Sequence, residues 1–230
     1  RLTLGKLIRT SPLGVAGAFT GGLANGIILG MAAVYARRLG LDVGGISLFV
    51  AAIMVGGAAF QYPVGKLSDR FDRRIVIIAV SGLVALTAGL LVPAAMAGAT
   101  ALAVVGFIAG GLALTLYPLS LAHTNDWLDP DDVTAASSAL VMVQGAGAIL
   151  GPLGTGLLMD AFGPNGFALY MALMGAGLVA FGVYRIRQRE APESTEDYLP
   201  APAAFGAGEY WAEAAVEAAD DNAADDAAPA

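Results

Sequence analysis

GKLSDRFDRRIVIIAVSGLVALTAGLLVP, residues 65–93, decides how the whole chain reads. Its first ten residues hold six charged side chains, and the nineteen that follow hold none. A run of that length suits a hydrocarbon core about 30 Å thick, which takes ~20 mainly apolar residues per helix. A buried helix of a soluble domain is usually shorter, with an apolar stripe and a polar face.

Five more windows of the same kind flank this stretch, at 12–36, 44–65, 98–121, 135–158 and 166–184, and none contains Asp, Glu, Lys or Arg. With 75–93 they predict an all-α polytopic membrane protein with six transmembrane helices. The intervals are short. Arg37 to Val43 reads as a polar link, and Pro93 to Gly98 as a tight turn. His123 to Val133 reads as an acidic loop in which Asp129-Pro130 signals a helix start. Asp160 to Asn165 runs into Gly-Pro-Asn-Gly, a turn signal.

Composition agrees. Charged residues make up 13% of the chain and hydrophobic ones 57%, against about 25% charged in soluble domains. The 31 glycines suit helices that pack closely in lipid. The net charge of −7 comes from the end of the chain, because residues 190–230 carry eleven acids and no Lys or Arg. Residues 1–189 carry twelve Lys and Arg against eight acids, too even a balance for a nucleic-acid surface. The chain thus divides into a bundle, 1–189, and an acidic tail, 190–230. The tail's Ala, Glu, Asp and Pro cannot bury enough surface to offset ordering entropy, so disorder is expected there. The first residue is Arg rather than Met, which reads as a fragment lacking an N-terminal part.

Lys and Arg set the orientation. Arg1, Lys6, Arg9, Lys66, Arg70, Arg73, Arg74, Arg185, Arg187 and Arg189 fall on one side of the six windows, and only Arg37 and Arg38 on the other. That bias places both termini and the 65–74 loop in the cytoplasm.

No cysteine is present, which removes disulfide and thiolate chemistry. His123, Asn125, Asp126 and Asp129 match no metal-ligand spacing. No catalytic constellation assembles, so neither enzymatic activity nor a cofactor or metal is expected. His123, alone at the edge of its window, reads as a solvated interfacial residue. Asp131 and Asp132 suit the start of the fifth window, where a helix N-terminus favours negative charge.

The stretch Gly65-Lys-Leu-Ser-Asp69-Arg70-Phe-Asp-Arg73-Arg74 resembles the major facilitator signature G-x-L-a-D-R-x-G-R-R, with Asp72 where that family usually has Gly. LGVAGAFTGGLANGIILG, LTLYPLSLAH and GAILGPLGTGLLM are similar to the C-terminal half of the YcaD-type branch, over about residues 12–185. The resemblance implies the second six-helix half of a twelve-helix secondary transporter. Its partners would be a missing N-terminal half, the lipid bilayer and a small-molecule substrate. It also implies a cytoplasmic clamp between the halves. In that clamp Asp69 would pair with Arg73 or Arg74 and with a helix of the other half, and Gly65 would permit close helix approach. The competing reading of Arg70, Arg73 and Arg74 is that they only set topology.

Two further groups stand out. Gly147 and Gly151 form a GxxxG face followed by Pro152, which removes a backbone hydrogen bond; packing and a kink are expected. This stretch resembles the superfamily's Gly-Pro signature with Thr155 in place of a Gly. Polar residues within the windows, Asn25, Gln61, Tyr117 and Gln144, are candidates for the substrate pathway. Each has a plainer reading, a helix–helix hydrogen bond or, for Tyr117, packing. Functions of other kinds are a membrane scaffold or sensor that recruits a basic partner through its acidic tail, and a half-size transporter acting as a dimer.

Overall fold

The computed structural model describes residues 4–188. Expectations for the tail at 190–230 lie outside them. Eight α-helices follow one another: α1 (Leu4–Thr10), α2 (Pro12–Arg38), α3 (Val43–Arg70), α4 (Arg73–Ala97), α5 (Ala99–Leu114), α6 (Leu116–Asn125), α7 (Val133–Phe162) and α8 (Asn165–Ile186). A 3-10 turn, Pro130–Asp132, leads into α7. With α5 and α6 taken as one broken helix, six helices are long and apolar enough to cross a membrane.

Helix ends fall where local chemistry satisfies the backbone. Pro12 opens α2, where its missing N–H would have no partner anyway. Asp42 caps α3 by accepting from the Gly45 amide at 2.9 Å. Asp72 caps α4 by accepting from the Arg74 amide at 2.9 Å. Gly98 (φ +115°) and Gly163 (φ +65°) turn the chain between helices in the region open mainly to glycine.

Two expectations are corrected. The Pro93–Gly98 turn shrinks to Gly98, because α4 runs through Pro93 to Ala97. A proline's lost hydrogen bond is tolerated inside such helices because local adjustments re-satisfy the freed carbonyl. The window at 98–121 is two helices that meet at Thr115. There the Thr115 amide (3.0 Å) and hydroxyl (2.7 Å) both turn onto the Leu112 carbonyl. Pro118 has no N–H with which to continue an i→i−4 ladder to Leu114.

α2 is the hub of the bundle, packing against α7, α6, α8, α3 and α5. Its glycines are divided between neighbours. Gly22, Gly26 and Gly30 face Gln144, Ala148 and Pro152 of α7, so the two helices run parallel. Gly14, Gly17 and Gly21 face Thr124, Ser120 and Tyr117 of antiparallel α6. The α3–α5 contact uses Gly56, Gly106, Gly110 and Gly111 in the same way. Near the far end of α2, Tyr35 is fully buried, stacked on Phe167 at 4.5 Å and tilted against Phe49 at 5.7 Å. Arg38 then ties α2 to the end of α7, donating to the Met159 carbonyl (3.0 Å) and to Asp160 (2.8 Å).

Candidate functional site

The interval between α3 and α4 is two residues long, so it brings the last turn of one helix against the first turn of the next. Arg73 donates to Asp69 at 3.2 Å, one turn earlier, and to Asp126 at 2.8 Å, just past the end of α6. Its side chain is only 16% exposed, so these are charge-assisted bonds partly shielded from water. Arg74 is engaged separately. Its Nε donates to both Asp72 oxygens at 3.1 Å and its Nη2 to Asp72 Oδ2 at 2.8 Å. The charged loop is therefore two linked devices: an Asp69–Arg73–Asp126 bridge joining α3, α4 and α6, and an Asp72–Arg74 fork that starts α4.

Asp69 thus pairs with Arg73, while Arg74 pairs with Asp72. Arg70 is exposed and makes no ion pair with the described residues. Lys66 lies 5.9 Å over the Tyr62 ring. Gly65 approaches no helix of this bundle: a side chain there would meet open space, and its carbonyl accepts from Ser68 at 2.8 Å. His123 is corrected from solvated to buried. It is 4% exposed and edge-on to Trp127 at 6.3 Å. The α6 helix carries it inward beside Arg74, where it lines a cleft at this end of the bundle.

The carboxyls of the knot shift in opposite directions. Partial burial pushes Asp72 up, but the hydrogen bonds and charge of Arg74 outweigh it and hold Asp72 below the usual carboxylate range. Partial burial pushes Asp126 up; the Arg73 guanidinium opposes this, and the carboxylates of Asp69 and Asp72 reinforce it, leaving Asp126 above its ordinary value. A raised folded-state value means that ionising Asp126 erodes stability as pH rises through it. A lowered one means that Asp72's contribution is lost as pH falls through it. The Asp126 contribution is therefore read by difference: on acidification from neutrality the parent is expected to gain stability relative to Asp126→Asn as Asp126 takes up its proton. Paired melting of the two proteins in detergent across that range checks this, and a constant offset between them would mean that Asp126 carries no such penalty.

The polar candidates separate into a group and an outlier. Tyr117 and Gln144 press their backbones on the adjacent glycines Gly21 and Gly22, from the α6 and α7 sides of α2. Asn25 follows one turn along α2 and is half-buried, as are Tyr117 and Gln144. Tyr117 also packs in a small apolar cluster with Leu7, Ala18, Ala136 and Leu140. Three polar side chains from three helices thus sit at neighbouring levels along the hub. Gln61 stands apart, exposed on α3, which packs mainly against α5. On α7, Gly147 faces the Phe19 carbonyl and Gly151 the Leu23 carbonyl, while Pro152 sits under Gly30.

Sequence reasoning missed Asp126 as the third member of the bridge; its partner lies 53 residues away, and no local pattern announces it. The Gly22, Gly26, Gly30 row opposite Gly147 and Gly151 was readable, because three glycines recur at helical spacing.

A bundle of six long apolar helices, with its charge gathered at the helix ends, defines a polytopic integral membrane protein. The model of the Major Facilitator Superfamily matches residues 14–216, and the chain belongs to that superfamily. The match runs past residue 185, further than the motifs named above reach. Relatives include an uncharacterized MFS-type transporter of Enterobacter sp. (strain 638), 31% identical over 69% of this chain and 40% of the relative. The uncharacterized MFS-type transporter YcaD of Escherichia fergusonii is 30% identical over the same shares. A further one, from Yersinia enterocolitica, is 29% identical over 74% of this chain and 43% of its own length. The chain spans about two fifths of the length of these curated relatives. Membership places it among transport proteins rather than enzymes.

Proposed function

We propose that the chain is the C-terminal six-helix half of a secondary transporter that moves a small solute by alternating access, rocking against an N-terminal six-helix half. The observation that carries this reading is the uneven exposure of the spans. Of the apolar windows, 56% is buried in α2 and in α5–α6, but 28% in α3 and 17% in α7. Met142, Ile149, Leu153 and Leu157 of α7 and Val55 and Tyr62 of α3 all face outward. A second bundle seated on these two helices would cover them, and the relatives have the length to supply one.

In this reading Asn25, Tyr117 and Gln144 contribute to one wall of the substrate path, with Gln61 a weaker candidate. The Asp69–Arg73–Asp126 bridge is the half of a clamp that closes one end in one state. The loop and both termini of the bundle lie on the cytoplasmic side, in line with the distribution of Lys and Arg. The polar wall holds amides and a phenol but no carboxylate, which favours a neutral or amphipathic solute. One wall does not make an alternating-access cavity, so residues 1–230 alone in liposomes should show no solute uptake. The complete gene, with an N-terminal half, should restore it. Uptake by residues 1–230 alone would overturn the two-half mechanism.

A further inference from the structure

At the end of the bundle that carries the charged loop, a cleft opens between the start of α2, the first turn of α4, the last turns of α6 and the end of α8. Thr10, Ser11, Pro12, Leu13, Arg74, His123, Trp127 and Arg185 line it. Its chemistry is mixed. The lining offers two guanidiniums, an imidazole and hydroxyls, with Ser11, Arg74 and His123 all less than a tenth exposed. Pro12, Leu13 and the Trp127 ring add apolar surface.

The Arg74 charge is balanced by Asp72, so the cation that gives the cleft its sign is Arg185. Its guanidinium donates to the neutral Gln188 side chain at 2.9 Å and makes no ion pair with the described residues. Arg9 precedes Thr10 in the chain and Arg187 follows Arg185 by two positions. Both are exposed, and neither forms an ion pair with the described residues. The rim is therefore positive.

We propose that this cleft holds the phosphate of an anionic phospholipid, with Arg185 as its principal ligand. Planar guanidinium donors match phosphate oxygens. Basic pockets between transmembrane helices suit phospholipid headgroups, which the leaflet supplies at high local concentration. The apolar lining argues for a lipid over a free ion: Pro12 and Leu13 have nothing to offer inorganic phosphate but, with the face of the Trp127 ring, can pack against a glycerol backbone and the start of an acyl chain. Trp127 is suited to that boundary between headgroup and hydrocarbon. The site lies apart from the polar wall of Asn25, Tyr117 and Gln144, and it does not depend on the transport reading.

The test is native mass spectrometry of the full-length protein titrated with phosphatidylglycerol or with phosphatidylcholine. Phosphatidylglycerol should be retained preferentially. Arg185→Gln should weaken its retention by about tenfold, the scale of one charge-assisted contact. Arg185→Lys should recover most of it, and Arg187→Gln, at the same helix end, should change it less than about twofold. Lipid-free melting of each variant, matched to the parent, shows that folding is intact. Equal retention of the two lipids, or equal losses for Arg185→Gln and Arg187→Gln, would overturn the proposal. So would displacement of phosphatidylglycerol by ~10 mM inorganic phosphate with the same dependence on Arg185, which would reassign the site to a soluble phosphate.

Discussion

Gly151→Leu should prevent the bundle from assembling, whereas Gly145→Leu, six residues earlier on the same helix, should leave it intact. At Gly151 an added Cβ would lie 2.5 Å from the Leu23 carbonyl oxygen and 3.2 Å from the carbon atoms beside it. These are backbone atoms of α2, so no side-chain rotation relieves the overlap, and the two helices would have to separate. Separation would also undo the opposing row of Gly22, Gly26 and Gly30, which rests on α7 at three successive turns. Overpacking one methylene in a well-packed core costs about 1–3 kcal/mol, and a leucine adds several at a backbone-to-backbone contact of the hub. Gly145 is exposed, with nothing near its Cβ position, so its substitution should stay within about 0.5 kcal/mol. Size-exclusion profiles and melting in mild detergent separate these outcomes. Equal behaviour of the two variants would mean that the α2–α7 backbone contact does not hold the bundle together.

That interface also shows what the chain discloses unaided. Transmembrane character is legible because lipid imposes it on composition: six long windows without a charge could not all face water. The GxxxG face of α7 is legible because small residues repeat at helical spacing, and the complementary row on α2 obeys the same rule. Thr115 is a different case. A threonine in an apolar run is an ordinary residue, and the break there depends on its amide and hydroxyl both turning to Leu112, a choice made jointly with Pro118 and the neighbouring helices. Asp126 is the extreme case. Its role is defined by Arg73, and only tertiary packing brings the start of α4 to the end of α6. His123 fails for the same reason. A lone histidine near a helix end looks exposed until the start of α2 and the end of α8 close over it.

Asp72→Asn should be the most damaging change in the charged loop, although the family signature usually carries glycine at that position. Asparagine can still cap α4, so the loss isolates the charge pair. Arg74 is 8% exposed and spends its Nε and Nη2 on the Asp72 carboxylate. Removing a carboxylate partner from a buried charge costs about 3–5 kcal/mol where the ion stays desolvated, and Arg74 also has an interaction beyond Asp72 that moderates the cost. Asp72 is itself 27% exposed, which admits some water and places the expected loss near the lower bound, about 3 kcal/mol. Asp72→Ala should lose about 1 kcal/mol more with the helix cap. Replacing the pair together, Asp72→Asn with Arg74→Met, should recover most of the stability, because no uncompensated charge remains. Asp69→Asn is the informative contrast. Arg73 keeps Asp126 at 2.8 Å, so the expected stability change is under about 1 kcal/mol. If the bridge is part of a clamp, its effect should appear instead as a shifted ratio of inward- to outward-open states, read by cysteine reporters on the two faces of the complete transporter. A large melting loss for Asp69→Asn with unchanged reporter accessibility would make the bridge a structural tie and not a clamp. A negligible loss for Asp72→Asn would mean that water or the other interactions of Arg74 replace the lost carboxylate.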